Sequence, residues 1–183
     1  MELDDTDTLR TELSLFRTAT FAPAPPTPHP PLILEVTLDT RDLTPQQTLI
    51  LVSSTTGKRH PIDSPSNRWL RGSEIVLEQW RIDLITPPKQ GAPDLPVVYK
   101  KAVVLFRRVY TEARLMPVWR LKRRLAKVKL NAVLKLRVRI ANADKNGRIG
   151  ITVPLCNELS KTKVVDEFSF GQIDTPAGYL VPS

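Results

Sequence analysis

The feature that most constrains the fold is a stretch of helical periodicity at residues 95–116. Its apolar residues recur mostly at intervals of three and four, the spacing of one helix face packed against a sheet. They are Val98, Ala102, Leu105, Phe106, Val109, Ala113 and Met116. Because proline disfavours helical backbone in the residue before it, Pro117 is predicted to end or kink this helix. Residues 119–126 then predict a second, short and basic helix.

Alternating runs on both sides of the long helix predict an antiparallel sheet. Residues 32–38 and 74–84 alternate between apolar and polar side chains, and residues 48–52 form a shorter apolar run. Residues 133–140 alternate most cleanly, as a strand with one buried face does. The residues expected to face inward are Leu134, Leu136, Val138 and Ile140. Those expected to face outward are Lys135, Arg137 and Arg139.

The N-terminal region predicts a short helix followed by a linker. Asp4, Asp5 and Asp7 are typical of a helix N-terminus, because the helix dipole favours negative charge there, and residues 1–20 are predicted to form a short helix. Six prolines follow at residues 22–31. Proline fixes the backbone and removes a donor, so this segment is interpreted as an extended linker, with a ligand for a proline-reading domain as the alternative.

The remaining segments predict loops and short strands. Residues 53–73 and 86–96 are rich in turn-forming residues and are predicted to be loops. Short strands are predicted at residues 149–155 and 163–170, after a turn at Asn146-Gly147. The order of helix, strands, long helix and strands predicts one α+β domain.

Several classes of protein are disfavoured by the composition. No apolar run approaches the roughly 18 residues of a membrane span, and the acidic N-terminus is unlike a secretory signal. Cys156 is the only cysteine, which excludes a disulfide framework and indicates a reducing compartment. With His29 and His60 it cannot supply four ligands for structural zinc. No phosphate-binding loop or hydrolase motif is present, so no enzyme, metal or cofactor is expected.

Charge is concentrated in the middle of the chain. Fourteen of the 27 Lys and Arg residues, but only one of the 19 acidic residues, Glu112, lie between Lys100 and Arg139. Three interpretations stay open: a solvated polar face, a site for an anion or acidic partner, and a nucleic-acid surface. The apparent lack of interleaved exposed aromatic residues disfavours the third. The candidate anion ligands are Arg107, Arg114, Arg120, Arg123 and Arg124.

Five segments together resemble the N-terminal domain of autophagy-related protein 13 from fungi. They are PPLILEVTLDTRDLTPQQTLIL, GSEIVLEQWRIDL, DLPVVYKKAVVLFRRVYTEARLMPVWRLKRRL, IANADKNGRIGITVPL and FGQIDTPAGYL. They follow the family's order and cover roughly residues 1–183. The resemblance implies a single HORMA-like domain, an antiparallel sheet packed against a long helix with flanking hairpins. By comparison with the family, we expect a first helix, the end of the final strand and a disordered tail to be missing.

The resemblance also implies a non-catalytic scaffold of the autophagy-initiating serine/threonine kinase complex. The partners it implies are that kinase complex, a lipid-kinase complex, an autophagy vesicle membrane protein and a second HORMA protein, with only peripheral membrane contact. The implied location is the cytoplasm and the phagophore assembly site. A nucleic-acid or chromatin-binding HORMA module, using the basic residues between 100 and 139, is the alternative.

Two sets of site residues follow from this comparison. Fungal members of the family are expected to hold an anion against basic side chains, and their LFR motif matches at Arg107, with a second family arginine expected beyond residue 183. A local salt bridge or simple solvation of Arg107 is the alternative. Trp80, Tyr110 and Trp119 are candidate anchors for protein partners, and core packing is the alternative for each.

Overall fold

An antiparallel five-stranded sheet forms the centre of the structure, a computed structural model that describes residues 9–11, 13–17, 30–53, 56–61, 74–85, 94–128, 133–141, 167–175 and 178–183. The strands are β1 (Leu32–Asp39), β2 (Ile50–Val52), β3 (Arg59–Pro61), β4 (Glu74–Ile85), β5 (Lys135–Ala141), β6 (Ile173–Thr175) and β7 (Gly178–Pro182). The helices are α1 (Ser14–Arg17), α2 (Leu95–Leu115) and α3 (Pro117–Lys127). The large sheet has the order β5-β1-β4-β7-β6, and β2 pairs with β3 in a separate hairpin.

The register of the sheet separates an apolar face from a charged one. Leu34 lies opposite both Trp80 on β4 and Ile140 on β5, so these three share a face. A bulge at Val36/Thr37 shifts the pairing of β1 with β4 by one residue. That shift lets Leu38 and Ile75 continue the apolar face beyond the bulge.

Two buried clusters hold α2 and the β2–β3 hairpin on the apolar face of the sheet. Leu105 of α2 packs with Phe170 and Ile173, and Trp80 stacks on Phe170 at 5.8 Å between ring centroids. The partly buried residues around this cluster are Trp80, Val98, Ala102, Val109 and Leu180. At the other end of β1, Leu38 and Ile75 are surrounded by Leu49, Leu51, Leu77, Leu134 and Leu136. The predicted α+β architecture, with a sheet packed against a long helix and flanked by hairpins, is therefore confirmed.

The opposite face carries a neutral network of ion pairs between strands β1, β4 and β5. The Arg139 guanidinium lies 2.7 Å from both Glu35 and Glu74. Asp39 accepts two side-chain bonds from Arg41 and lies 3.0 Å from Arg137. The hydrogen bonds from Arg41 hold the pKa of the Asp39 carboxyl well below its ordinary value, against the opposing effect of desolvation. Arg137 and Arg139 are thus part of the structural framework.

Two positions predicted to be buried are exposed in the structure. Phe106 was predicted on the buried stripe of the helix but is 55% exposed, because it lies about 100° around α2 from Leu105. Val138 was predicted to face inward but is 50% exposed. Arg139 does lie on the charged face, as predicted, but its side chain is only 19% exposed because its carboxylate partners enclose it.

Short elements also differ from the predictions. The predicted loop at residues 53–73 contains β3, joined to β2 through a turn with Gly57 at a φ of 67°. Residues 167–170, the described end of a predicted strand, are not a strand, whereas β6 and β7 form a hairpin that periodicity did not predict. Where the sequence predicts a first helix over residues 1–20, the helix that the structure describes is α1, at Ser14–Arg17.

Other predictions fall beyond the described ranges. They are residues 1–8 of the predicted first helix, the linker up to residue 29, residues 62–73 and 86–93 of the two predicted loops, the Asn146-Gly147 turn and the strand at residues 149–155. The helices in the described ranges are too short or too polar to cross a membrane.

Candidate functional site

The junction between α2 and α3 fixes the orientation of both helices on the sheet. Met116 leaves the helical conformation, with φ −60° and ψ 150°, and Pro117 then starts α3. The Glu78 carboxylate of β4 accepts a 3.0 Å hydrogen bond from the backbone N–H of Val118. This satisfies a donor that the first turn of α3 cannot satisfy itself. Burial raises the pKa of Glu78, and the bonds from Val118 and the Trp80 side chain oppose that rise.

Helix α3 presents a wholly cationic outer face. It buries Val118 and Leu125. Four of its five basic side chains recur at three- and four-residue intervals on the opposite side. They are Arg120, Arg123, Arg124 and Lys127, and all are exposed. Within the described structure none of them has a carboxylate partner, so their charge is available to a ligand.

Helix α2 adds a row of cations on its own outer face. Lys100, Arg107 and Arg114 follow one another at seven-residue intervals, and all three are exposed. In the ranges described, no carboxylate pairs with any of them; the carbonyl of Arg107, not its guanidinium, accepts a bond from Thr111. We call these cations, together with those of α3, the basic surface. Its members are Lys100, Arg107, Arg114, Arg120, Arg123, Arg124 and Lys127.

Aromatic rings lie beside the basic surface where the two helices meet. The Arg114 guanidinium carbon lies 4.6 Å from the ring centroid of Tyr110 and 5.9 Å from that of Trp119. The Lys122 ammonium also lies near Trp119, 5.6 Å from the centroid of its ring. Tyr110 and Trp119 remain 37% and 38% exposed. These contacts are cation–π interactions that hold the charged groups in place.

The expected absence of interleaved exposed aromatic residues is therefore wrong. Tyr99 and Phe106 are exposed on α2 in addition to Tyr110 and Trp119. The periodicity assigned Phe106 to the core, and an aromatic residue beside cations in sequence does not show which way its ring points. The signal that could have found them is the helical wheel: Tyr99, Phe106 and Tyr110 fall on one flank of α2.

The structure places the candidate residues in different environments. All five candidate anion ligands, Arg107, Arg114, Arg120, Arg123 and Arg124, lie exposed on α2 and α3. Trp80 lies apart from them, stacked on Phe170 in the core cluster. Four other cations of the central region are paired: Lys101 with Asp174, Lys135 with Asp42, Arg137 with Asp39 and Arg139 with Glu35 and Glu74.

The chemistry available here is recognition of negative charge. Guanidinium groups bind carboxylates and phosphates in a bidentate manner, and neighbouring rings supply apolar contact. Over the described ranges, no group of three His, Cys, Asp or Glu side chains is arranged to hold a metal ion.

Comparison with solved structures defines the class of protein as a HORMA domain. A structure described as the Atg13 HORMA domain superposes with a TM-score of 0.67 and 26% sequence identity, covering 94% of this chain and 80% of that one. A family model described as autophagy-related protein 13 matches residues 1–183. The chain belongs to the autophagy-related protein 13 family.

Curated relatives agree with this assignment. The autophagy-related protein 13 of Aspergillus niger is 33% identical over 98% of this chain and 20% of its own length. The corresponding protein of Penicillium rubens is 36% identical, over 97% of this chain and 19% of its own. The corresponding protein of Yarrowia lipolytica is 33% identical over 97% of this chain and 26% of its own length. The chain thus spans about a fifth to a quarter of the length of these relatives.

Proposed function

We propose that this chain is a non-catalytic docking module of the autophagy-initiation kinase complex. It recruits a lipid-kinase complex, autophagy vesicles and a second HORMA protein to the phagophore assembly site in the cytoplasm. The kinase complex itself is a further partner. Family membership and the HORMA fold support an autophagy role, and the observation that carries the docking role is the basic surface. Its seven cations have no acidic partner among the described residues, while those of the sheet face are paired.

This contrast matters because unpaired surface cations contribute little to folding. Paired arginines on the charged face join three strands, whereas Arg120, Arg123 and Arg124 contact no acidic group in the described structure. Like charges spaced three and four residues apart destabilise a helix slightly. An acidic partner would relieve that repulsion, and the positive charge of the surface would steer the partner toward it.

A domain replacement tests this proposal. The chain would replace the corresponding domain of the full-length relative in Yarrowia lipolytica, and starvation-induced delivery of a cytosolic reporter to the vacuole would be measured. We expect the unaltered domain to support delivery and the variant Arg120→Glu/Arg123→Glu/Arg124→Glu to reduce it severalfold. The control Lys58→Glu/Arg59→Glu, on the exposed β2–β3 hairpin, should behave like the unaltered domain. Equal delivery with all three domains would contradict the proposal.

The exposed aromatic residues favour one second candidate, a single-stranded nucleic-acid surface. Bases stack on exposed rings and phosphates meet neighbouring cations in such proteins. Tyr110 and Trp119 beside Arg114 provide both groups. This candidate predicts a steep fall of oligonucleotide affinity with salt, measured by fluorescence anisotropy between about 50 and 200 mM salt. Weak binding with a shallow salt dependence would contradict it.

A further inference from the structure

The cation row of α2 has a regular geometry. Lys100, Arg107 and Arg114 are separated by seven residues each, so at the helical rise their backbones lie about 10.5 Å apart along the axis. Seven residues fall about 20° short of two full turns, so the row drifts only slowly around the helix. Each member is exposed and lacks a carboxylate partner within the ranges described. A ligand lying along α2 therefore meets three positive charges at an even spacing.

Apolar side chains line both flanks of this row. On the helical wheel, three lie about 60–100° to one side and three about 60–80° to the other. All are exposed, from 37% for Tyr110 to 70% for Tyr99. They are Tyr99, Phe106 and Tyr110 on one flank and Val97, Val104 and Leu115 on the other. The outer side of α2 is thus apolar, then cationic, then apolar.

We propose that the outer face of α2 binds an acidic amphipathic helix of a partner protein, whose carboxylates recur every seven residues between two apolar flanks. Such a helix sets its carboxylates against Lys100, Arg107 and Arg114 and its apolar side chains against both flanks. Two packed helices keep a seven-residue pattern in register through a left-handed supercoil. This inference rests on the proposed docking function and names the chemistry of one partner at the same surface.

Charge complementarity selects this occupant. Covering the apolar flanks also removes water from the cations between them, which is costly unless each one meets a negative group. An uncharged helix would leave those cations unpaired, so the row rejects it. A second copy of this chain docking through the same face would place like charges opposite each other.

The order of the stripes also argues against a lipid surface. A helix lying in a membrane interface buries an apolar face and keeps its cations on the opposite, polar side. On α2 the cations run along the middle, between Phe106 on one flank and Val104 on the other. Insertion of both flanks into lipid would carry Arg107 with them.

Peptide binding to the intact 183-residue chain tests the inference. The probe is a synthetic 21-residue helical peptide with Glu at every seventh position between Leu flanks, and a matched peptide carries Lys at those positions. The row variant is Lys100→Glu/Arg107→Glu/Arg114→Glu. The control, Lys58→Glu/Arg59→Glu, also replaces exposed cations by Glu, but on the β2–β3 hairpin, outside the basic surface. Affinities would be measured by fluorescence anisotropy, with circular dichroism melts confirming that each variant folds.

We expect the row variant to bind the Glu peptide at least about tenfold more weakly, and the hairpin control to change its affinity less than about threefold. The row variant should in turn bind the Lys peptide better than the unaltered chain does. If the row variant does not fold, Arg107→Glu alone should weaken Glu-peptide binding severalfold.

Three results would overturn the inference. They are equal losses in the row variant and the hairpin control, absence of the charge-swap gain, and row-dependent binding of phosphatidylserine vesicles or oligouridylate without peptide binding. The domain replacement separates this inference from the proposed function. If one of these three results is found and the domain carrying the row variant still supports reporter delivery, the inference fails while the proposed function stands.

Discussion

At the scale of single residues, Glu78 has the clearest structural task. It sits half-buried on β4 and accepts a bond from the first turn of α3, so it joins the sheet to the basic helix. Its raised pKa means that the folded state holds the proton more tightly than the unfolded chain does. The carboxylate form is therefore less favourable in the fold than a neutral acceptor of the same shape.

Substitution of Glu78 separates the contribution of its hydrogen bond to Val118 from the cost of burying its charge. Glu78→Ala removes the acceptor for the Val118 N–H and should lower the free energy of unfolding by about 0.5–2 kcal/mol at neutral pH. Glu78→Gln keeps an acceptor for that N–H. In the unaltered chain, stability should fall as pH rises from the carboxyl's ordinary pKa of 4.5 through its raised pKa, and the Gln variant should not show this fall. Urea unfolding at several pH values measures both effects. A Gln variant as unstable as the Ala variant would contradict this role.

Asp39 has the opposite pH dependence. Arg41 lowers its pKa, so its contribution to stability is present above its ordinary value of 3.8 and is lost as pH falls below it. Asp39→Asn leaves Arg41 and Arg137 without this carboxylate, and we expect a loss of about 1–3 kcal/mol at pH 7. The difference from the unaltered chain should shrink in acid. Thermal unfolding from pH 7 to pH 2.5 tests this, and a difference that stays constant would exclude the ion-pair explanation.

At the scale of elements, long and regular segments were predictable and short ones were not. Helix α2 and strands β1, β4 and β5 show their periods over seven or more residues, and their bounds lie close to those predicted. Strands β3 and β6 have three residues each, too few to show a period. They form because a neighbouring strand pairs with them, which is tertiary information.

The surroundings of single side chains were less predictable than the positions of the elements. Arg139 is enclosed by Glu35 and Glu74, which lie 104 and 65 residues away in the chain. No local pattern reports such partners. Among the site residues, sequence gave the position of the cations but not which of them are neutralised, because pairing across strands depends on register.

The burial of Leu105 and the exposure of Phe106 on α2 predict different effects of two neighbouring substitutions. Leu105→Ala should lower the free energy of unfolding by about 2–5 kcal/mol, because this side chain is buried in the cluster with Phe170 and Ile173. Phe106→Ala, one residue on, should change it by only about 0.5 kcal/mol, because the ring is exposed. Chemical denaturation of the two variants measures the contrast. Equal losses would place Phe106 in the core, as its sequence pattern suggested.

At the scale of the whole molecule, charge is divided between framework and surface. The sheet face balances Glu35, Asp39 and Glu74 against three arginines. The basic surface on α2 and α3, in contrast, carries seven cations that have no acidic partner among the described residues. A concentrated positive field of this kind speeds association with acidic partners and is weakened by salt.

Affinity capture from cell extract tests whether the basic surface recruits autophagy proteins. The tagged chain, its Arg120→Glu/Arg123→Glu/Arg124→Glu variant and the Lys58→Glu/Arg59→Glu control would be incubated with nuclease-treated extract of starved Yarrowia lipolytica cells. Bound proteins would be quantified by mass spectrometry. We predict recovery of lipid-kinase subunits, an autophagy vesicle protein or a second HORMA protein by the chain and the control, and severalfold less by the α3 variant. Recovery of RNA- or chromatin-associated proteins alone, or equal recovery of autophagy proteins by all three, would contradict this role of the basic surface.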